Sequence, residues 1–187
     1  MPGYLEFEVS LLHAEPRIWR RFLLRKAGTF QDLHKAIQDA CGWEGYHLFE
    51  FRIGGHRGRA IAGMPNEELD VPVPDAKRVK LTAFFDDPEN RDGCFYLYDF
   101  GDGWEHELQL LRQVALKESF RRRLLGGDRA FPPEDCGSYS GYERCVRVAR
   151  GEESGIDETD GVDLKRWMGD WDPEFLNLKA VKKVFDR

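Results

Sequence analysis

The chain has 187 residues, 41% of them hydrophobic and 13% aromatic, enough for one sizeable core and too few for two comfortable ones, so a single domain over 1–187 is expected. Its formal net charge of −6 argues against an autonomous nucleic-acid binder, because non-specific affinity for phosphates comes from Lys and Arg, and leaves Arg17, Arg20 and Arg21 and the run Arg121-Arg122-Arg123 as the candidates for a local basic patch. No apolar run approaches the roughly 18 residues of a membrane span, the N-terminus reads as a strand rather than an export signal, and Cys41, Cys94, Cys136 and Cys145 have neither zinc spacing nor a disulfide framework, so a cytoplasmic protein with no membrane partner is expected.

Leu5, Phe7, Val9 and Leu11 alternate with other positions and predict a first strand over Leu5–Leu11. After Pro16, Ile18–Leu24 reads as a second strand with Ile18, Phe22 and Leu24 on one face and Arg20 among them. A guanidinium on an apolar face must find a carboxylate or backbone carbonyls. The expected mate of Arg20 is Asp99 or a carboxylate of the 132–137 loop, and the competing role is to anchor a ligand's carboxylate or phosphate. Thr29 caps a helix over Phe30–Cys41, with Asp32 at its third position and Phe30, Leu33, Ile37, Ala40 and Cys41 in one stripe; Gly42 ends it. His47, Phe49, Phe51 and Ile53 then share one face of a third strand, so His47 is expected to point inward.

Between Gly54 and Lys80 the pattern dissolves through Gly54-Gly55, Met64-Pro65 and Val71-Pro72-Val73-Pro74, and a long surface loop over 54–80 is expected. Phe95–Phe100 and Trp104–Leu110 follow as consecutive antiparallel strands, the second with Trp104, His106, Leu108 and Leu110 inward. Leu116, Phe120 and Leu124 recur at helical spacing ahead of Gly126-Gly127, predicting a helix that carries Arg121-Arg122-Arg123 on a solvated face. Pro132-Pro133 stiffens a loop that projects Glu134, Asp135 and Cys136 before a helix near Tyr142–Val146. Asp157-Glu158-Thr159-Asp160-Gly161 lacks oxygen donors where a calcium loop begins and ends, so 151–163 reads as an acidic linker. Asp172 and Pro173 open a last helix that packs through Phe175, Leu178, Val181, Val184 and Phe185. Hairpins of this kind make a mostly antiparallel sheet with helices packed on it, an α+β fold.

Chemistry concentrates in the turn Tyr98-Asp99-Phe100-Gly101-Asp102-Gly103-Trp104-Glu105-His106 and in the loop Pro132–Gly137. The candidate cleft comprises Arg20, His47, Tyr98, Asp99, Asp102, Trp104, His106, Glu134, Asp135 and Cys136. Two readings compete. The leading one is a binding or interaction module with an acidic and aromatic cleft for an unidentified ligand or protein. The rival is a metal-assisted hydrolase in which Asp99, Asp102, His106, Glu134 and Asp135 offer donors for magnesium, manganese or zinc. A hydrolase needs several of these groups at one point; a module needs only an exposed groove. If a centre exists, the turn and the loop face each other, with Asp99, Asp102 or His106 near Glu134 or Asp135. Cys136 as a nucleophile would need a base to form thiolate, and no local arrangement guarantees one. Asp99-Phe100-Gly101 spells a kinase magnesium motif without that family's catalytic loop or glycine-rich turn.

Pro16-Arg17-Ile18-Trp19-Arg20-Arg21, Leu33-His34, Gly42-Trp43 with His47-Leu48-Phe49-Glu50-Phe51, the Tyr98–His106 run, Pro132-Pro133-Glu134-Asp135-Cys136-Gly137 and Trp167 followed by Asp172-Pro173-Glu174-Phe175 together resemble the plasmid pRi ORF-3-like family over nearly the whole chain. The resemblance implies an α+β fold and a bacterial or archaeal origin, and it brings no established activity. Some members carry a transposon-resolvase label, which makes a nucleic-acid role in a mobile-element context the third reading; the chain itself shows no recombinase motif or helix-turn-helix. It departs from the family where Ser138 replaces a second glycine after Cys136-Gly137 and where Arg57 replaces an aromatic before Gly58.

Overall fold

The computed structural model describes residues 1–55, 57–66, 72–90, 93–156 and 163–186. Among them, seven strands are β1 (Gly3–Leu11), β2 (Trp19–Arg25), β3 (Phe49–Ile53), β4 (Arg59–Gly63), β5 (Cys94–Tyr98), β6 (Trp104–Ala115) and β7 (Arg122–Asp128). They form one antiparallel sheet in the order β4-β3-β5-β6-β1-β2-β7. Helices α1 (Phe30–Cys41), α2 (Thr82–Phe85), α3 (Ser138–Ala149), α4 (Leu164–Met168) and α5 (Leu178–Phe185) complete an α+β fold.

Period-two patterning set the sheet's inward face. Leu5, Phe7, Val9 and Leu11 of β1 and Trp104, His106, Leu108 and Leu110 of β6 are all buried; β6 alternates as its sequence predicts, whereas central β1 also buries Tyr4, Glu6 and Ser10 of its other face, Glu6 being paired with Arg21 and Arg112. α1 begins where Thr29 and Asp32 exchange the two bonds of a capping box and ends at Gly42, whose φ of 84° lies in the left-handed region that glycine adopts without strain. Its stripe seats on the sheet: the Phe30 ring lies 5.0 Å from Phe51 and 5.8 Å from Phe85. α5 adds Phe185, whose ring is 5.3 Å from Phe22. Burying each such ring contributes about 2 kcal/mol, which is what fastens the two helices.

Several elements differ from the sequence reading. The expected arginine helix is absent; 122–128 is the edge strand β7, paired with β2 through Leu24↔Arg122 and Phe22↔Leu124. Buried Arg122 and Leu124 alternate with Arg123 and Leu125, so period two holds, with an arginine in an inward place. Arg122 is accommodated there because it donates to the Phe185 carbonyl at 2.8 Å and pairs with Asp39. Gly126 and Gly127 belong to that strand and end no helix; a Cβ on Gly127 would lie 2.7 Å from Arg20 Cδ and 2.8 Å from the Trp19 carbonyl. The 54–80 segment is not a continuous loop, because β4 pairs with β3 and buries Ile61 and Ala62. β5 ends at Tyr98 rather than Phe100, and β3 begins at Phe49 rather than His47. The last helix starts late: Asn177 caps α5 through a 3.0 Å bond to the Ala180 amide, while Asp172 and Pro173 form only a turn and Phe175 is exposed. The acidic run Asp157–Gly161 lies outside the described residues.

Candidate functional site

β5 and β6 are held in register from Cys94↔Leu108 to Tyr98↔Trp104, so the intervening turn projects from one end of the sheet. Asp99 organises it. Its φ is 54°, a conformation that Asp reaches more readily than most residues. Oδ1 accepts the Gly101 and Asp102 amides at 3.0 and 3.3 Å, and Oδ2 remains for chemistry outside the turn.

The Pro132–Gly137 loop is clasped by residues 43–46. Trp43 Nε1 donates to the Pro132 carbonyl at 2.8 Å, the Glu44 amide donates to Glu134 Oε2 at 2.6 Å, and the Tyr46 hydroxyl donates to Asp135 Oδ2 at 2.5 Å. Tyr98 adds a bond to Glu134 Oε1. At the loop's far end Gly141 of α3 lies against the Cys136 carbonyl, where a Cβ would sit 1.7 Å from that oxygen. Asp135, Gly137 and Ser138 all have positive φ, of 62°, 86° and 58°. Ser138 thus holds a glycine-like conformation at the position where the resemblance anticipates glycine.

Turn and loop meet at His47. Its Nε2 lies 2.8 Å from Asp135 Oδ1 and 3.6 Å from Asp99 Oδ2. One ligating atom from each of His47, Asp99 and Asp135 falls within 4.8 Å of the others. His47 is half-buried and does not point into the core, correcting the inward placement read from its alternation with Phe49. Hydrogen bonds from Tyr46 and His47 hold the Asp135 carboxyl below its ordinary range, and the same Tyr46–Asp135 bond pushes the Tyr46 phenol up to about 12. Burial and the bond to Glu134 raise Tyr98 further.

The other candidate residues lie around this point rather than in it. His106 is fully buried beneath, its ring 5.9 Å from Phe131 and 5.4 Å from Trp43, and burial lowers its pKa to about 4. Trp104 is buried between Trp43 and Tyr139. Glu134 braces Tyr98 and the Glu44 amide. Asp102 contributes to keeping the Cys136 thiol protonated, behind the larger effects of a hydrogen bond with Cys145 and burial; such a thiol is no ready nucleophile. Arg20 is 2% exposed, as its face requires, but it is paired to no carboxylate among the described residues. Instead Nε donates to the Ala40 carbonyl at 2.9 Å, Nη1 to those of Trp19 and Asp128 at 2.8 and 3.0 Å, and the guanidinium lies 4.8 Å from the Phe131 ring centre. Tyr46 was missed; its adjacency to His47 after a glycine was the available signal.

The architecture is that of a small α+β protein with a histidine and two aspartates gathered at one sheet end. A family model described as plasmid pRiA4b ORF-3-like protein matches residues 4–180, and the chain belongs to that family. It is similar to the uncharacterized protein y4hQ of Sinorhizobium fredii (strain NBRC 101917 / NGR234), with 34% identity over 187 residues, covering 97% of this chain and 90% of the relative. It is also similar to the crystal structure of the protein of unknown function MM3350 from Methanosarcina mazei Go1, with 33% identity, a TM-score of 0.77 and 96% of each chain covered. Among the described residues, no helix is long and apolar enough to cross a membrane.

Proposed function

We propose that the chain is a binding module whose recognition centre is a divalent-cation site formed by His47, Asp99 and Asp135. The observation that carries this reading is the convergence of one imidazole and two carboxylates from three separate segments to within 4.8 Å. A mixed nitrogen and oxygen set suits zinc or manganese better than calcium or magnesium, which favour oxygen alone. Both aspartates hold positive φ, a backbone conformation that costs about 1 kcal/mol or more each and tends to persist at functional positions. Three protein ligands leave coordination positions for a donor from a partner or small ligand, and Tyr46, 58% exposed, stands at the rim. Four unpaired cysteines favour a reducing cytoplasm.

The test is titration of zinc and manganese into tag-free protein by calorimetry, with elemental analysis of the dialysed complex. One cation per chain is expected, with binding lost in His47→Ala and Asp135→Asn and kept in Asp102→Asn. Absence of binding, or a His47→Ala protein that binds equally well, refutes the site. The hydrolase reading shares the three ligands, whose open positions would hold a water for activation. It gains support if the cation-loaded protein cleaves simple phosphate or carboxylate esters and Asp99→Asn does not.

A further inference from the structure

A cavity of about 480 Å³ opens between the start of α1 and the start of β7, on residues that the cation centre does not use. Arg25, Lys35, Arg121 and Arg122 line it, with Asp32 as the one acidic lining residue. Asp32 is occupied: its Oδ2 accepts the Thr29 amide at 2.8 Å and the Thr29 hydroxyl at 3.0 Å in the α1 cap. Asp39 balances Arg122. Among the described residues, no carboxylate pairs with Arg25, Lys35 or Arg121, and the Arg25 amide is bonded to the Arg121 carbonyl at 2.9 Å, which keeps those two cationic residues adjacent. Four cations against two carboxylates leave a surplus of two positive charges in a concavity of a chain whose net charge is −6. Such a surplus attracts an anionic ligand, and guanidinium forks match phosphate oxygens.

An adjoining cavity of about 320 Å³ shares Lys35 and Arg122 and reaches His34, Gln38 and Gly45; Asp39 and Glu44 also line it, so over the pair of cavities the positive surplus is one, concentrated at the Arg25 and Arg121 end. Gln38 is 4% exposed, and its Oε1 has no hydrogen-bond partner among the described residues. Its Nε2 donates to the Tyr96 hydroxyl at 2.8 Å, so that hydroxyl gives its own proton to His34 Nδ1, also 2.8 Å away. The His34 Nε2 is then left as an N–H donor. Burial keeps the ring neutral by lowering the imidazole pKa to about 3. Gly45 lies against both: a Cβ placed on it would lie 3.4 Å from Gln38 Oε1 and from His34 Nε2, so an acceptor and a donor stand side by side in the lining of this cavity. Adjacent donor and acceptor groups read the amide-like edge of a nucleobase.

We propose that the paired cavities form a binding site for a nucleoside monophosphate, with the phosphate held by Arg25, Lys35 and Arg121 and the base edge read by His34 and Gln38. The site is separate from the cation centre and goes beyond the function proposed above. Together the two cavities have the size and polar convergence of a small-ligand pocket.

Calorimetric titration with ribose 5-phosphate and with guanosine 5′-monophosphate in about 0.1 M salt tests both halves. Both probes should bind, the nucleotide about tenfold or more tighter. Arg25→Gln with Arg121→Gln, at exposed positions that leave the fold intact, should weaken both by about tenfold or more. Gln38→Leu should remove only the nucleotide's advantage, and its retained binding of ribose 5-phosphate shows that the variant is folded. His47→Ala should change neither affinity, which separates this site from the cation centre. Failure of both probes to bind below about 1 mM, or binding unaffected by the double arginine change, overturns the proposal. Equal affinities for the two probes overturn its base-reading half.

Discussion

Arg20 offers the sharpest test of how the fold is held. It is 2% exposed, and its charge is met by three carbonyls and a phenyl face rather than by a carboxylate. One of those carbonyls, Ala40, lies in the last turn of α1, which has no basic residue of its own. Arg20 therefore supplies from β2 the cation that the negative end of the helix dipole attracts. A hydrogen bond from a charged donor contributes about 1.5–3 kcal/mol, and a partly buried charge at a helix end up to about 2 kcal/mol. Part of this is offset by the desolvation of the guanidinium, so Arg20→Met, which fills the space without the donors, should cost about 3–5 kcal/mol. At this chain length each kcal/mol moves the melting temperature by about 2–4 °C, giving a fall of roughly 10 °C by calorimetry or circular dichroism. Arg20→Lys should lose about half as much, because one ammonium cannot reach all three oxygens. An Arg20→Met protein that melts within about 2 °C of the parent would refute this account of the residue.

Two further outcomes follow from buried groups and close approaches. His34 and His106 have native pKa values of about 3 and about 4 against an ordinary 6.5, so below about pH 6.5 the unfolded chain takes up protons that the native protein refuses, and stability falls with acidification. Denaturant unfolding between pH 7 and 4.5 should approach about 2.7 kcal/mol per pH unit at the acidic end, with His106→Phe removing about half the slope; a flat profile contradicts it. Gly141→Ala should cost about 3 kcal/mol or more in thermal melting, because the added methyl would lie 1.7 Å from the Cys136 carbonyl and must displace the loop; unchanged melting would contradict that approach.

The strands at 3–25 and 94–110 were legible because half-buried strands alternate, and α1 because its cap is written in Thr29 and Asp32. β7 was not. Its inward positions include Arg122, which no apolar pattern recognises, and Leu116, Phe120 and Leu124 mimic helical spacing by coincidence, so pairing with β2 overrode the local signal. The five residues of β4 were too few to declare a period. That the glycine turn and the Pro-Pro loop face each other was expected only on the condition that a functional centre exists, the competing expectation being that each carboxylate satisfies local backbone donors, as Asp99 Oδ1 does in its own turn and Glu134 Oε2 does with the Glu44 amide. The place of His47 was not, because period two was carried back past Phe49 into a segment held instead by Trp43 and Tyr46. No local pattern reports a tryptophan reaching a carbonyl 89 residues away.

The sheet order has a consequence for how the protein is made. β1 lies inside the sheet between β2 and β6, and Phe7 pairs with Leu110. A chain leaving the ribosome at about 5–20 residues per second completes the β1–β2 hairpin early and then waits about 5–20 s for β6 to emerge. Throughout that interval the second edge of β1 has unpaired backbone groups beside Leu5, Phe7 and Val9, an open template for another strand. A nascent chain stalled before residue 104 has the flanks of the sheet without the strand that joins them, so truncations there should aggregate rather than leave a smaller soluble protein.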